Sequence, residues 1–206
     1  MTVKTSNIYQ FKITLEEVKP VIWRRIQVPE KYNFWDLHVA IQDAMGWDDY
    51  HLHQFEIKNP ITGEKDLIGM VDFEELHEAE LIPEQETKIK QYFSLTNKVA
   101  RYEYDFGDCW QHKITLEKIL PIEPGIKYPR CIEGARACPP EDCGGVWGYK
   151  NLLKILNNPR HEEYKESKEW AGRAGHDFDA TKFDPRLVKF HNPKKRWKIA
   201  FNQSVM

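Results

Sequence analysis

At 206 residues, 41% apolar and 13% aromatic, the chain is large enough for one domain with a substantial core. Acidic and basic residues nearly cancel to a net charge of −2, which excludes affinity for nucleic acid or membrane through overall charge. No apolar run approaches the roughly 18–20 residues that span a bilayer, and no signal peptide opens the chain, so a cytoplasmic protein is expected, its four cysteines reduced or metal-bound.

The pattern first alternates over residues 8–16, with Tyr9, Phe11, Ile13 and Leu15 on one face, and predicts a half-buried strand. A turn at 17–20 leads into a second strand at 21–28, with Ile22, Ile26 and Val28 on one face and Trp23 and Arg25 on the other, making a hairpin. Asn33 is a good N-cap for a helix whose face is Phe34, Leu37, Ile41, Ala44 and Met45, and Gly46 ends it. His51 to Ile57 reads as a third strand. Strand, strand, helix, strand is the order of an α+β fold with a β-grasp-like or roll-like mixed sheet and a helix packed across it.

Residues 58–100 are less patterned: a turn at 60–63 and short helical turns at 72–77 and 87–93. Strands are predicted at 102–106 and 110–119. Tyr149, Leu152, Leu153 and Leu156 form the apolar face of a helix stopped by Pro159, and residues 160–170 a polar helix. A loop at 172–184 precedes a final helix with Asn192 as N-cap and Pro193 at its first position. The expected organisation is one domain over 1–206, with a core at 8–185 and a helical extension at 186–206.

Residues 131–145 carry Cys131, Cys138 and Cys143 among Pro139, Pro140, Glu141, Asp142, Gly144 and Gly145. Prolines fix φ, glycines permit positive φ, and thiolates and carboxylates ligate metals, so the segment reads as a rigid loop built around a site. Structural zinc sites usually pair ligands across two to four residues; here the gaps are six and four, so a fourth ligand must come from elsewhere: Cys109, His112 or a carboxylate such as Asp142. Small buried thiols that only pack are the competing reading. Three histidines, His51, His53 and His112, fall in register with apolar residues on their strands, and a buried imidazole needs a partner for each nitrogen. His38 reads as structural; His77, His161, His176 and His191 read as surface residues. Asp105 and Asp108 bracket Gly107 at a strand break, where carboxylates bind a cation, act as a general base or cap the turn. The Asp-Phe-Gly triplet at 105–107 lacks the companion motifs of a kinase. Lys194, Lys195, Arg196, Trp197 and Lys198 form a basic run that either contacts nucleic acid or lines a solvated helix face.

Tyr104-Asp105-Phe106-Gly107-Asp108, with Trp110 and His112, the loop from Tyr128 to Gly145, His51 to Phe55 and the 178–185 segment together resemble the family named after ORF-3 of plasmid pRiA4b. The resemblance runs from about Tyr9 to Pro185 and implies one compact α+β domain, but no reaction. Cys109 departs from the family's usual residue, which favours His112 as fourth ligand. The first expectation is therefore a binding or accessory protein with structural zinc on Cys131, Cys138, Cys143 and His112. The second is a metal-dependent hydrolase with a cleft lined by His51, His53, Asp105, Asp108 and Glu141. The third, from the family's occurrence on mobile elements and from the basic run, is a nucleic-acid accessory protein.

Overall fold

A computed structural model of the chain describes residues 7–70, 81–172 and 177–202, the side chains of the last three excepted. Eight strands form one mixed sheet in the order β5-β4-β3-β6-β7-β1-β2-β8. β1 (Asn7–Leu15) and β2 (Trp23–Pro29) are the expected hairpin, with Phe11 opposite Ile26. β7 (Trp110–Pro121) pairs with the other edge of β1, and its register shift at Gln10/Phe11 absorbs an extra residue. β6 (Val99–Tyr104) joins β7 to β3 (His53–Lys58); β4 (Lys65–Gly69) and the two-residue β5 (Ile82–Pro83) complete that end. Only β4 and β5 run parallel among these pairs.

Helix α1 (Phe34–Met45) lies across the sheet, and its ends follow the predicted chemistry. Asn33 and Asp36 form a reciprocal capping box, and Gly46 at φ 95° takes the left-handed turn at the C-terminus. Phe34 packs edge-on against Phe55 at 5.1 Å and Tyr92 at 5.7 Å, so the helix and sheet share one aromatic core. Arg24 crosses this interior: it is buried on β2, donates Nε–H to the Ala44 carbonyl at 2.7 Å and Nη1–H to the Trp23 and Ala135 carbonyls, and stacks on Phe183. A buried guanidinium is tolerable only when its donors are satisfied in this way.

The segment expected to be loop throughout 131–145 is shorter. Arg130–Ala135 is edge strand β8, pairing with β2 and placing Cys131 opposite Ile26. Gly134 lies in this strand because a side chain there would collide with the Phe183 ring at 2.4 Å. The true loop ends at α3 (Gly145–Leu156), which starts earlier than its apolar stripe implies. Further differences are the unpredicted β4 and β5, and β3 beginning at His53 rather than His51. The 87–93 turn is the short α2 (Ile89–Tyr92), and the polar helix is α4 (Tyr164–Ala171). The expected helical turn at 72–77 falls outside the described residues. A 3₁₀ turn (Pro185–Leu187) leads to α5 (Pro193–Asn202), the predicted terminal helix.

Gly148, inside α3, tests how tightly this loop is folded on the helix. Alanine normally favours a helix interior by about 1 kcal/mol over glycine. Here a Cβ would stand 1.8 Å from the Cys143 carbonyl oxygen, a backbone atom. Gly148→Ala is therefore expected to lower stability by about 1–3 kcal/mol, as overpacking does, measured by urea unfolding.

Candidate functional site

The structure does not bring Cys131, Cys138, Cys143 and His112 together: among the described residues, no group of three or more metal-capable side chains includes a cysteine. Cys131 Sγ points to the Glu133 carbonyl at 3.6 Å and Cys143 Sγ to the Gly145 carbonyl at 3.9 Å. Burial pushes the Cys131 thiol up to about 11 and the Cys143 thiol up to about 12, and raises Cys138 as well, so desolvation disfavours the thiolate at all three. His112 is wholly buried on the core face of β7, with Nδ1 on the Tyr102 and Trp110 carbonyls at 3.3 and 3.0 Å. Trp47 fills the space between this imidazole and the loop. Its ring stands edge-on to His112 at 5.3 Å, and its Nε1–H donates to the Pro139 carbonyl at 3.0 Å. Cys109 is exposed, and its thiol donates to Glu103.

A different group does converge. His51, Asp105 and Asp142 each present one ligand atom within 4.8 Å of the others. His51 Nε2 lies 3.0 Å from Asp142 Oδ1 and 3.7 Å from Asp105 Oδ2. Ligands bound at about 2.1 Å to one ion, at right angles or tetrahedrally, stand roughly 3.0–3.5 Å apart. His51 Nε2 is buried and yet makes no hydrogen bond, although a carboxylate oxygen is 3.0 Å away. The oxygen is close but off the axis a proton would need.

Local backbone structure sets up each of these side chains. β3 pairs with β6 so that His53 opposes Tyr104; one residue beyond this pair, the Asp105 N–H donates to the Leu52 carbonyl at 2.9 Å. The β6–β7 turn thereby sits beside His51. Asp105 takes a left-handed conformation at φ 58°, and its Oδ1 accepts from the Gly107 and Asp108 amides at 2.9 and 3.3 Å. That leaves Oδ2 toward His51. Asp142, also left-handed at φ 58°, comes from the loop, which is held in place by its neighbour. Glu141 accepts from the Tyr104 hydroxyl through a short bond and from the Asp48 amide at 3.0 Å. Burial raises the pKa of Glu141, and burial with the adjacent carboxylate raises Tyr104, so the hydroxyl keeps its proton and donates it to Glu141.

Of the cleft expected from His51, His53, Asp105, Asp108 and Glu141, the structure unites His51 and Asp105 with Glu141 alongside. Asp108 instead accepts from the Gly144 amide at 3.2 Å, tying down the start of α3. His53 belongs to a separate buried network. Its ring stacks on His38 at 3.4 Å and 7°, with Nε2 on Glu84 at 2.7 Å. His38 reaches Asp49 at 2.6 Å and the Tyr102 hydroxyl at 2.8 Å. Strand alternation does not carry His51 to the same place, because β3 starts at His53 and the preceding turn bends at Asp49, φ 67°. Asp142 was legible only as one possible fourth ligand for the cysteines; Glu84 and Asp49 gave no signal, being far from their histidines in sequence. The basic run is divided: Lys194, Lys195 and Lys198 are exposed. Arg196 approaches Asp43 at 3.4 Å and Trp197 packs edge-on against Trp35 at 5.0 Å, both facing α1. His191 is exposed as expected but is bound to Asp43 at 2.7 Å; His77 and His176 lie outside the described residues.

The plasmid pRiA4b ORF-3-like family model matches residues 7–187, which contain every residue of this group. The chain belongs to that family. It is similar to the uncharacterised protein y4hQ of Sinorhizobium fredii, 33% identical over 178 residues that cover 86% of this chain and 88% of that protein. It is also similar to the crystal structure of a protein of unknown function from Methanosarcina mazei Go1, with 49% identity and a TM-score of 0.83 over 91% of this chain and all of that one. The family boundary at 187 leaves α5 outside the match. No helix among the described residues is long and apolar enough to cross a membrane.

His112 supplies a pH test of this burial. Desolvation lowers its pKa to about 4, whereas an unfolded-chain histidine titrates near 6.5. Between those values the unfolded chain binds more protons, so stability falls as pH drops through the window, by roughly 3 kcal/mol in total. Burial lowers His38 in the same direction. His112→Leu is expected to fold and to show a shallower acid limb between about pH 6.5 and 4 in urea-unfolding midpoints.

Proposed function

We propose that the protein is a metal-dependent hydrolase whose divalent cation is held by His51, Asp105 and Asp142. His53 Nδ1 and His112 Nε2 are also buried without a hydrogen bond, so the observation that carries this is that, of the three, the unpaired Nε2 of His51 alone converges with two carboxylates, those of Asp105 and Asp142. A cation satisfies the nitrogen lone pair and both oxygens at once. Three protein ligands leave coordination positions for water and substrate, which is the arrangement of a catalytic rather than a closed structural site. The exposure supports that reading: the Asp142 side chain is 69% exposed while that of Asp105 is 11% exposed, so the ion would be anchored on one side and open on the other. Asp105 carries its own supporting hydrogen bonds from the backbone, which orient the ligand oxygen. Mixed imidazole and carboxylate donors suit zinc, manganese or iron(II) better than an all-thiolate preference would. When bound, the cation would lower the pKa of a water and polarise the bond to be cleaved.

Isothermal titration with Mn²⁺ and Zn²⁺ tests the site. Wild type should bind about one equivalent, and His51→Ala, Asp105→Asn and Asp142→Asn should each weaken binding by at least about 100-fold, beyond the usual effect of losing a supporting contact. Cys131→Ser should bind like wild type. Uptake lost in Cys131→Ser but retained in the three site variants would instead support the cysteine centre, and no uptake by folded wild type would reject both.

A further inference from the structure

Independently of the cation site, we infer that the sheet face turned away from α1 binds single-stranded nucleic acid along a basic stripe. Alternation puts Phe11, Ile13, Ala100, Tyr102 and Ile114 in the core, so their neighbours Lys12, Thr14, Arg101, Lys113 and Thr115 point outward. Register then sets cations side by side. Lys58 opposes Lys65, Arg101 opposes Lys113, and Lys12 opposes Arg25. Thr14 and Thr115 join the last two pairs across β1 and β7. The stripe thus crosses six neighbouring strands, from β4 to β2. That is about 24 Å at the usual strand spacing. None of its residues belongs to the His51, Asp105 and Asp142 group.

Like charges directly opposite one another destabilise a sheet. On a chain of net charge −2, three such pairs in adjoining rows are a concentration that folding alone does not favour. Carboxylates neutralise only part of it. Arg25 meets Glu117 at 2.6 Å and also Glu133, and Glu56, opposite Arg101, is engaged by Lys65 at 2.7 Å. Lys58, Arg101 and Lys113 are exposed, and among the described residues their side chains make no ion pair or hydrogen bond. Lys12 lies 4.8 Å from the centroid of the partly exposed Trp23 ring, and Arg25 lies 5.0 Å from it.

The shape of the stripe selects the polyanion. Carboxylates border it, Glu103 on one side and Glu117 and Glu133 on the other. A broad anionic membrane would meet these acids, whereas one strand lying across the sheet would not. A duplex groove takes a helix or a two-stranded ribbon, which a flat sheet face does not offer. Cations around an aromatic on a sheet surface suit unpaired bases and their backbone.

The full chain is titrated by fluorescence anisotropy against labelled single-stranded RNA and DNA of about 12 nucleotides and the matching duplexes, and by cosedimentation with phosphatidylserine vesicles. EDTA is present, so the outcome is separate from that of the cation site. Single strands are expected to bind best. Their affinity should fall about 20–50-fold between roughly 50 and 200 mM salt, as three or four phosphate contacts at a slope of about −0.7 each require. The RNA and DNA arms decide which strand is preferred. Arg101→Gln combined with Lys113→Gln should weaken binding at least about five-fold and make the salt dependence shallower. The same change should keep or raise the urea midpoint, because it removes a like-charge pair. Lys194→Gln combined with Lys195→Gln, on α5, should bind as wild type does. Tighter binding to duplexes or vesicles, an affinity indifferent to salt, no binding at the lowest salt, or a loss confined to the α5 variant would overturn the inference.

Discussion

The antiparallel pairing of β3 with β6 is the constraint on which the candidate site depends. It aligns His53 with Tyr104, and one residue further the ladder gives way to a single bond from the Asp105 amide to the Leu52 carbonyl. The His51, Asp105 and Asp142 group lies just beyond this end of the sheet. Had the register slipped by one residue, every side chain of β6 would have exchanged faces. Tyr104 would then no longer reach Glu141, and Asp105 would leave His51. The aromatic core fixes the register: Phe55, opposite Tyr102, packs against it at 4.8 Å and against Phe34 of α1. Site geometry is thus a consequence of core packing some residues away.

Asp142, the third member of the group, arrives from a distant part of the chain, and its placement has to be secured separately. Four hydrogen bonds fasten the loop: the Trp47 indole on the Pro139 carbonyl, Tyr104 and the Asp48 amide on Glu141, and the Gly144 amide on Asp108. They join the loop to the segment after α1, to the end of β6 and to the β6–β7 turn. Gly145 extends the same logic, since a Cβ there would stand 2.5 Å from the Asp108 carbonyl oxygen. Glu141, which from sequence looked like a candidate acid or base, is chiefly one of these fasteners.

How much of this could be read from residues alone follows from the range of the interactions. The hairpin, α1 with its Asn33 N-cap, β7 and α5 were legible because their signals are local: alternation, capping residues, a proline at the first turn. β4, β5 and β8 were not, since short edge strands are defined by a partner rather than by their own pattern. Cys131 and Ile132 carry little sign of a strand until β2 lies beside them. The candidate site divides the same way. Asp105 at a glycine-flanked break and His51 beside it were visible as possible ligands. Their union with Asp142 needed a turn at Asp49 and the packing of Trp47, neither of which spacing reveals. His53 and His112 looked equivalent to His51, and each of the three keeps one buried ring nitrogen unpaired, yet their surroundings differ: Glu84 on the other nitrogen of His53, two carbonyls on the other nitrogen of His112, and two off-axis carboxylates facing the unpaired nitrogen of His51.

The cysteines still have a physical role in this arrangement. Cys131 and Cys138 stand near the buried Arg24 guanidinium, close enough to influence its charge and it theirs. A cation locked among carbonyls leaves no room for long side chains around it, and small polarizable thiols fill such space without demanding strong hydrogen bonds. This explains why a loop rich in ligand types need not be a thiolate centre. Desolvation disfavours the thiolates, while the carboxylate of the same loop, Asp142, is turned to the solvent edge. Packing thus takes the sulfurs inward and leaves the oxygen at the cleft. The chemistry of the loop is decided by which of its ligand types reaches the surface beside His51.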